Sequence, residues 1–248
     1  PGINKETTSY ANEGGWFDCD KVRFRQGFPE KIGGWDKIGS NSFIGTCRAL
    51  HPWRTLGLDL FLGVGTSSKY YIESGQGYYD ITPLRSTTAA GGATFAKVAN
   101  GDSTITVADP SHGAFAGDFV TFSGAASLGG NITAAILNQE YQIDNIVNSN
   151  SYKIKARAVA DVSAITVNGV YTPTTVNAAA GDSGNGGGSI IAAYQLNAGL
   201  TSSIFGTGWG AGTWSRGTWG SAAELTLSDL MRIWTHDNFG EDLVINVK

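Results

Sequence analysis

The sequence predicts an all-β protein, a β-propeller-like body, not necessarily complete, carrying an inserted small β-sandwich or barrel module. Three observations predict it. The 248 residues include 35 glycines and only 6 prolines, and glycine is costly in helices but suited to tight turns. Alternating polar and apolar segments recur between turn signals at roughly ten-residue spacings, as in a β-meander. The seven tryptophans, Trp16, Trp35, Trp53, Trp209, Trp214, Trp219 and Trp234, leave a gap between Arg85 and Gln195 that is rich in Ala, Thr, Ser and Asn.

The boundaries follow from that gap. Residues 1–87 read as the first part of the body, 88–195 as the inserted β-module, and 196–248 as the second part of the body. The insert opens with Ser86-Thr87-Thr88-Ala89-Ala90-Gly91-Gly92 and closes near Gly181-Asp182-Ser183-Gly184-Asn185-Gly186-Gly187-Gly188. By composition both ends read as flexible connectors.

In the body, Lys21-Val22-Arg23-Phe24-Arg25 alternates with the two-residue period of a half-buried strand. Gln26-Gly27-Phe28-Pro29 is turn chemistry, and Glu30-Lys31-Ile32 returns as the second arm of a hairpin. Further strands are expected over 47–51, 58–64, 69–73 and 78–82, with Gly57, Gly65-Thr66-Ser67-Ser68 and Ser74-Gly75-Gln76-Gly77 between them. Four such strands match one propeller blade.

A faint repeat adds to this. Gly57-Leu58-Asp59-Leu60-Phe61-Leu62 resembles Gly240-Glu241-Asp242-Leu243-Val244-Ile245, each preceded by an arginine-led strand pattern. The second copy ends at Lys248, halfway through its blade, so a further segment or another chain is expected to complete the sheet. In the insert, strands are expected over 103–107, 118–122, 141–147 and 152–154, and a helical turn over 133–137 with Thr133 as its cap.

Composition excludes several function classes. Hydrophobic residues make up 41%, enough for a core, and charged residues only 15%. Net charge is −4, whereas phosphate binding is driven by positive charge, so this is no dedicated nucleic-acid binder. No apolar run approaches the roughly 18 residues of a membrane helix, and the opening Pro-Gly-Ile-Asn reads as an N-terminus that has lost its initiator methionine. Cys19 and Cys47 form no Cys-x-x-Cys pair and read as free thiols.

No residues are singled out as catalytic, cofactor-binding or metal-binding. His51, His112 and His236 lack zinc-ligand spacing, and His112 before Gly113 reads as a turn residue. His236-Asp237 has no Gly-x-Ser-x-Gly elbow. Asp18 and Asp20 would share one face of a strand, the arrangement a polysaccharide-degrading enzyme could use, but Lys21, Arg23 and Arg25 make surface ion pairing the simpler reading. Gly63-Val64-Gly65 and Gly206-Thr207-Gly208-Trp209-Gly210 open no predicted helix, so turn glycines explain them better than phosphate binding. Trp209, Trp214 and Trp219 recur every five residues. An odd period sends successive rings to opposite faces of a strand, so the segment suits a glycine-kinked loop. These three are the candidate interface or stacking residues.

Three stretches carry a family resemblance. They are Gly14-Gly15-Trp16-Phe17-Asp18 with Val22-Arg23-Phe24-Arg25-Gln26-Gly27-Phe28-Pro29-Glu30-Lys31-Ile32-Gly33-Gly34-Trp35; Tyr79-Asp80-Ile81-Thr82-Pro83-Leu84-Arg85; and Gly206-Thr207-Gly208-Trp209-Gly210 through Gly217-Thr218-Trp219-Gly220, with Trp234-Thr235-His236-Asp237-Asn238-Phe239-Gly240-Glu241-Asp242-Leu243. They cover most of residues 1–85 and 205–248. The chain thereby resembles the packaged-DNA stabilisation or tail-nozzle proteins of short-tailed bacteriophages. The insert is similar to a small β-module of phage tail proteins.

The resemblance implies a virion structural protein, not an enzyme, assembled in the bacterial host cytoplasm as a homo-oligomeric ring, commonly of six. The ring would lie below the portal and adaptor, near tail fibre or needle proteins. Double-stranded DNA would pass through it without sequence-specific binding, held until ejection. No cofactor, metal or membrane segment is implied. Two rival expectations stand beside it, a receptor- or glycan-binding tail module and a polysaccharide-degrading enzyme.

Overall fold

The computed structural model describes residues 3–6, 8, 10–34, 39, 41–159, 173–197, 199 and 233–247. The chain divides into two compact units, Pro1–Ser40 and Asn41–Lys248.

The first unit holds one hairpin, β1 (Val22–Arg25) and β2 (Phe28–Lys31), paired antiparallel with Arg25 opposite Phe28. Its two-residue turn places Gln26 and Gly27 at φ 51° and 88°, the left-handed pair that matches strand twist. The second strand therefore resumes at Phe28, two residues earlier than the turn chemistry suggests. Pro29 fits because its pair with Phe24, one step from the turn, is the non-hydrogen-bonded kind and loses no ladder bond.

The second unit begins with a four-stranded antiparallel meander, β3 (Cys47–Arg54), β4 (Leu60–Thr66), β5 (Tyr70–Ser74) and β6 (Gly77–Asp80), in the order β3-β4-β5-β6. This is the expected blade-like sheet. Gly63 and Gly65 lie inside β4 and not at a turn. A Cβ at Gly65 would come 2.7 Å from the Trp234 Cβ, and one at Gly63 would collide with the Tyr70 hydroxyl. Glycine here makes room for the Trp234 and Tyr70 side chains.

A seven-stranded antiparallel sheet follows. Its strands are β7 (Leu84–Thr87), β8 (Thr94–Lys97), β9 (Thr104–Ala108), β10 (Phe119–Ser123), β11 (Glu140–Asn148), β12 (Ser151–Lys155) and β13 (Ile191–Gln195), in the order β7-β13-β10-β11-β12-β9-β8. Two register shifts in β11 bend the sheet around its own core. That core includes Phe95, Val107, Phe122, Ile143, Ile154 and Ile190. Between β10 and β11 sits a single helical turn, α1 (Ala134–Leu137), whose Ile136 amide donates to the Thr133 hydroxyl as expected.

The segment expected as a closing connector is built into this module. The Asp182 carboxylate is fully buried and accepts the backbone amides of Gly130, Asn131, Ile132 and Ala179 at 2.7–3.0 Å. Gly184 donates to the Leu128 carbonyl, and Phe95 donates to the Asn185 carbonyl. A Cβ at Gly184 would lie 2.9 Å from the Leu128 oxygen. These glycines allow close approach of two backbones and are not flexible spacers.

Strands β14 (Trp234–Phe239) and β15 (Asp242–Val247) complete the described chain as a hairpin. The two members of the faint repeat are thus both antiparallel hairpins. β14 lies against β3, with Trp234 and Tyr70 buried between them beside Ala49, Leu243, Ile245 and Val247.

Candidate functional site

Antiparallel partners share a face. Ala49, His51 and Trp53 of β3 therefore align with Gly65, Gly63 and Phe61 of β4. Onto this face the β14–β15 hairpin lays Trp234, His236 and Asn238, which alternate with exposed Thr235, Asp237 and Phe239. Trp234 Nε1 donates to the Thr66 carbonyl at 2.9 Å, and its ring meets Tyr70 edge-on with centroids 5.0 Å apart.

Two histidines meet at this seam. The His51 and His236 rings stack at 4.9 Å. His51 Nε2 lies 2.5 Å from Asn238 Oδ1, and His236 Nδ1 lies 3.1 Å from the Tyr70 hydroxyl. Burial holds the His236 imidazole below its ordinary pKa, and His51 reinforces this. Burial also pushes Tyr70 up to about 12. A protonated Tyr70 can then donate to a neutral His236 nitrogen. The aromatic series continues past the hairpin, with Trp53 and Phe61 half-buried and stacked at 5.5 Å.

A second constellation joins the meander to the seven-stranded sheet. Lys69 is only 2% exposed, and its Nζ lies 2.5 Å from Asp80 Oδ2 and 2.6 Å from both Glu140 oxygens. Gln195 Nε2 donates to Glu140 at 2.7 Å and to Asp80 at 3.3 Å. The ammonium also lies 4.3 Å from the centre of the Phe119 ring. Burial alone would raise the Asp80 carboxyl. The Lys69 charge, with hydrogen bonds from Lys69 and Thr82, outweighs it and holds the carboxyl below its usual value. A buried ammonium set between two carboxylates fixes orientation.

The residues singled out in the sequence fare unequally. Trp209, Trp214 and Trp219 lie outside the described residues. Asp18 and Asp20 do not lie on a strand. Asp18 pairs with Lys5 at 3.0 Å, and a hydrogen bond from Lys5 with its charge lowers the carboxyl pKa. Asp20 lies 3.8 Å from Lys21. His112 is a core residue: its Nδ1 accepts from the Ala114 amide, its Nε2 meets the Asn148 carbonyl, and its ring packs edge-on to Tyr152. Cys19 and Cys47 are free thiols.

Among the described residues no group of three or more His, Cys, Asp or Glu could hold a metal, and no helix is long and apolar enough to cross a membrane. Sequence reasoning did not single out Lys69 or Glu140. The two lie 71 positions apart, so no local pattern links them.

No protein-family model and no curated protein sequence matches the chain. Among solved structures it is similar to the phage phi92 endosialidase, at 12% identity and a TM-score of 0.23, over 68% of this chain and 21% of that one. The chain therefore spans about a fifth of the length of that protein.

Proposed function

We propose that this chain is a non-enzymatic structural subunit of a bacteriophage tail, forming a ring that retains packaged DNA and conducts it during ejection. The observation that carries this reading is the hairpin of residues 234–247 lying face to face on the four-stranded meander, as neighbouring propeller blades do. The family resemblance of residues 1–85 and 205–248 supports it. So does the net charge of −4, which lets DNA slide past without the tight phosphate contacts of a basic channel. Lys69, Asp80, Glu140 and Gln195 clamp the module to the blade, which suits a component of a rigid particle. The ring, of about six copies by family resemblance, would adjoin portal or adaptor and tail fibre or needle proteins in the virion, after assembly in the host cytoplasm.

The test is cryo-electron microscopy of whole particles together with native mass spectrometry of the chain. A closed ring around an open channel is expected. A stable monomer, or a compact trimer without a channel, would overturn the reading.

The half-buried Trp53–Phe61 stack favours a second reading, a glycan- or receptor-binding tail module. Under that reading Trp53→Ala or Trp214→Ala abolishes binding on a glycan array. An array without hits removes it.

A further inference from the structure

Two surfaces of this chain are exposed hairpin faces of opposite charge. A two-stranded hairpin is marginal unless one face is covered. The β14–β15 hairpin buries one face on the meander and leaves the other in solvent. That outer face carries Thr235, Asp237 and Phe239 opposite Asn246, Val244 and Asp242. Phe239 is 80% and Val244 53% exposed. Among the described residues, neither Asp237 nor Asp242 has a cationic partner.

The β1–β2 hairpin presents the complement. Val22 and Phe24 share one face, where Phe24 meets Trp16 edge-on at 6.2 Å. The other face carries Arg23, Arg25, Phe28 and Glu30, all exposed. Arg23 is paired with Glu30 at 3.1 Å, while Arg25 has no acidic partner among the described residues. Phe28 is 76% exposed.

We infer that the β1–β2 face of one copy docks on the outer β14–β15 face of a second copy, with Arg25 meeting Asp237 and Asp242, and Phe28 meeting Phe239 and Val244. The inference rests on the ring reading above and names its contact. The β14–β15 face cannot readily pair with itself, because a two-fold contact would set carboxylate against carboxylate. A contact between two different surfaces of the same chain is head-to-tail, the kind that closes rings. With only a few side chains on each partner, it falls well short of the roughly 800 Å² a standard interface buries per side. Two free copies would therefore associate weakly, and closure, in which every copy makes the contact twice, supplies the persistence.

The experiment uses the 248-residue chain in native mass spectrometry and light scattering at low and high salt. Wild type is expected to form a closed assembly that loosens as salt screens the charges. Arg25→Glu and the pair Asp237→Lys with Asp242→Lys should each weaken association about tenfold or more. Combining them in one chain should restore it. All three positions are exposed, so unchanged circular dichroism separates lost assembly from lost folding. In a Cys19→Ser, Cys47→Ser background, Phe28→Cys with Val244→Cys should yield disulfide-linked multimers. A purely intramolecular crosslink would place the two faces together within one copy and overturn the inference. A ring that survives both charge reversals overturns this contact but leaves the ring reading standing. A wild-type chain that stays monomeric at low salt overturns both.

Discussion

Lys69 Nζ lies 2.6 Å from both carboxylate oxygens of Glu140, a residue 71 positions away in a different sheet. This contact, with Asp80 and Gln195 beside it, ties the module to the blade. The lysine is 2% exposed, while the carboxylate side chains keep 29% and 27% of their surface in water.

Removing the cation should therefore be costly. Lys69→Met leaves Asp80 and Glu140 facing each other, and is expected to lose about 3 kcal/mol, the low end for breaking a buried pair, because the carboxylates are partly hydrated. Adding Asp80→Asn and Glu140→Gln should recover much of it. Urea denaturation checks both. A Lys69→Met loss within about 0.5 kcal/mol would reduce the cluster to an ordinary surface ion pair.

Acid should destabilise the second unit through Asp80 and Asp182. Burial alone would raise each carboxyl, but Lys69 at Asp80, and the amides of Ala179, Ile132, Gly130 and Asn131 at Asp182, hold both below the usual value. A depressed folded pKa contributes stability that is present above the unfolded value of about 3.9 and is lost as pH falls through the folded one. Melting temperature should be flat above about pH 5 on account of these two groups, then fall. Asp182→Asn should lose about 2–3 kcal/mol at pH 7, since an amide cannot accept all four backbone donors, and should flatten the acid limb.

The seam between meander and hairpin should tolerate no added methyl group. Gly65→Ala sets a Cβ 2.7 Å from that of Trp234 and is expected to cost about 1–3 kcal/mol by overpacking. Trp234→Ala should cost about 3–5 kcal/mol through the cavity it leaves. In hydrogen exchange the Gly65→Ala effect should concentrate in residues 234–247. Uniform deprotection across the seven-stranded sheet would contradict this packing account.

His236 gives the hairpin a milder pH response. Its folded pKa is depressed, by burial first and then by His51. The unfolded chain then binds the proton more readily. The contribution is intact above the unfolded value of about 6.5 and is lost as pH falls below it. Protection of β14 amides should weaken between about pH 7 and 5, and His236→Gln should remove that slope. An unchanged slope in the variant would assign it to another group.

Much of the strand order was legible because its causes are local. The alternation around Val22 and Phe24, the meander turns at Gly57 and Gly75, and the strands around Ile105, Val120, Ile143 and Ile154 all appear where period and turn chemistry place them. Thr133 caps its helical turn because the cap needs only the amide three residues on. The glycine-rich segment at 181–188 misled for a physical reason: glycine serves both as a flexible spacer and where two backbones approach closely. Strand β13 beside it, which pairs with β7 and β10, was hidden in the same composition.

The sequence by itself determined an all-β chain with a blade-like meander, an N-terminal hairpin and an interrupted tryptophan pattern, because two-residue periodicity and turn residues act within a few positions of the chain. The tertiary structure alone decided that Lys69 faces Glu140, that Gly65 seats Trp234, and that His51 stacks on His236. Those pairs lie 71, 169 and 185 residues apart. Their energies depend on which faces meet and how completely water is excluded between them, and no local pattern encodes that.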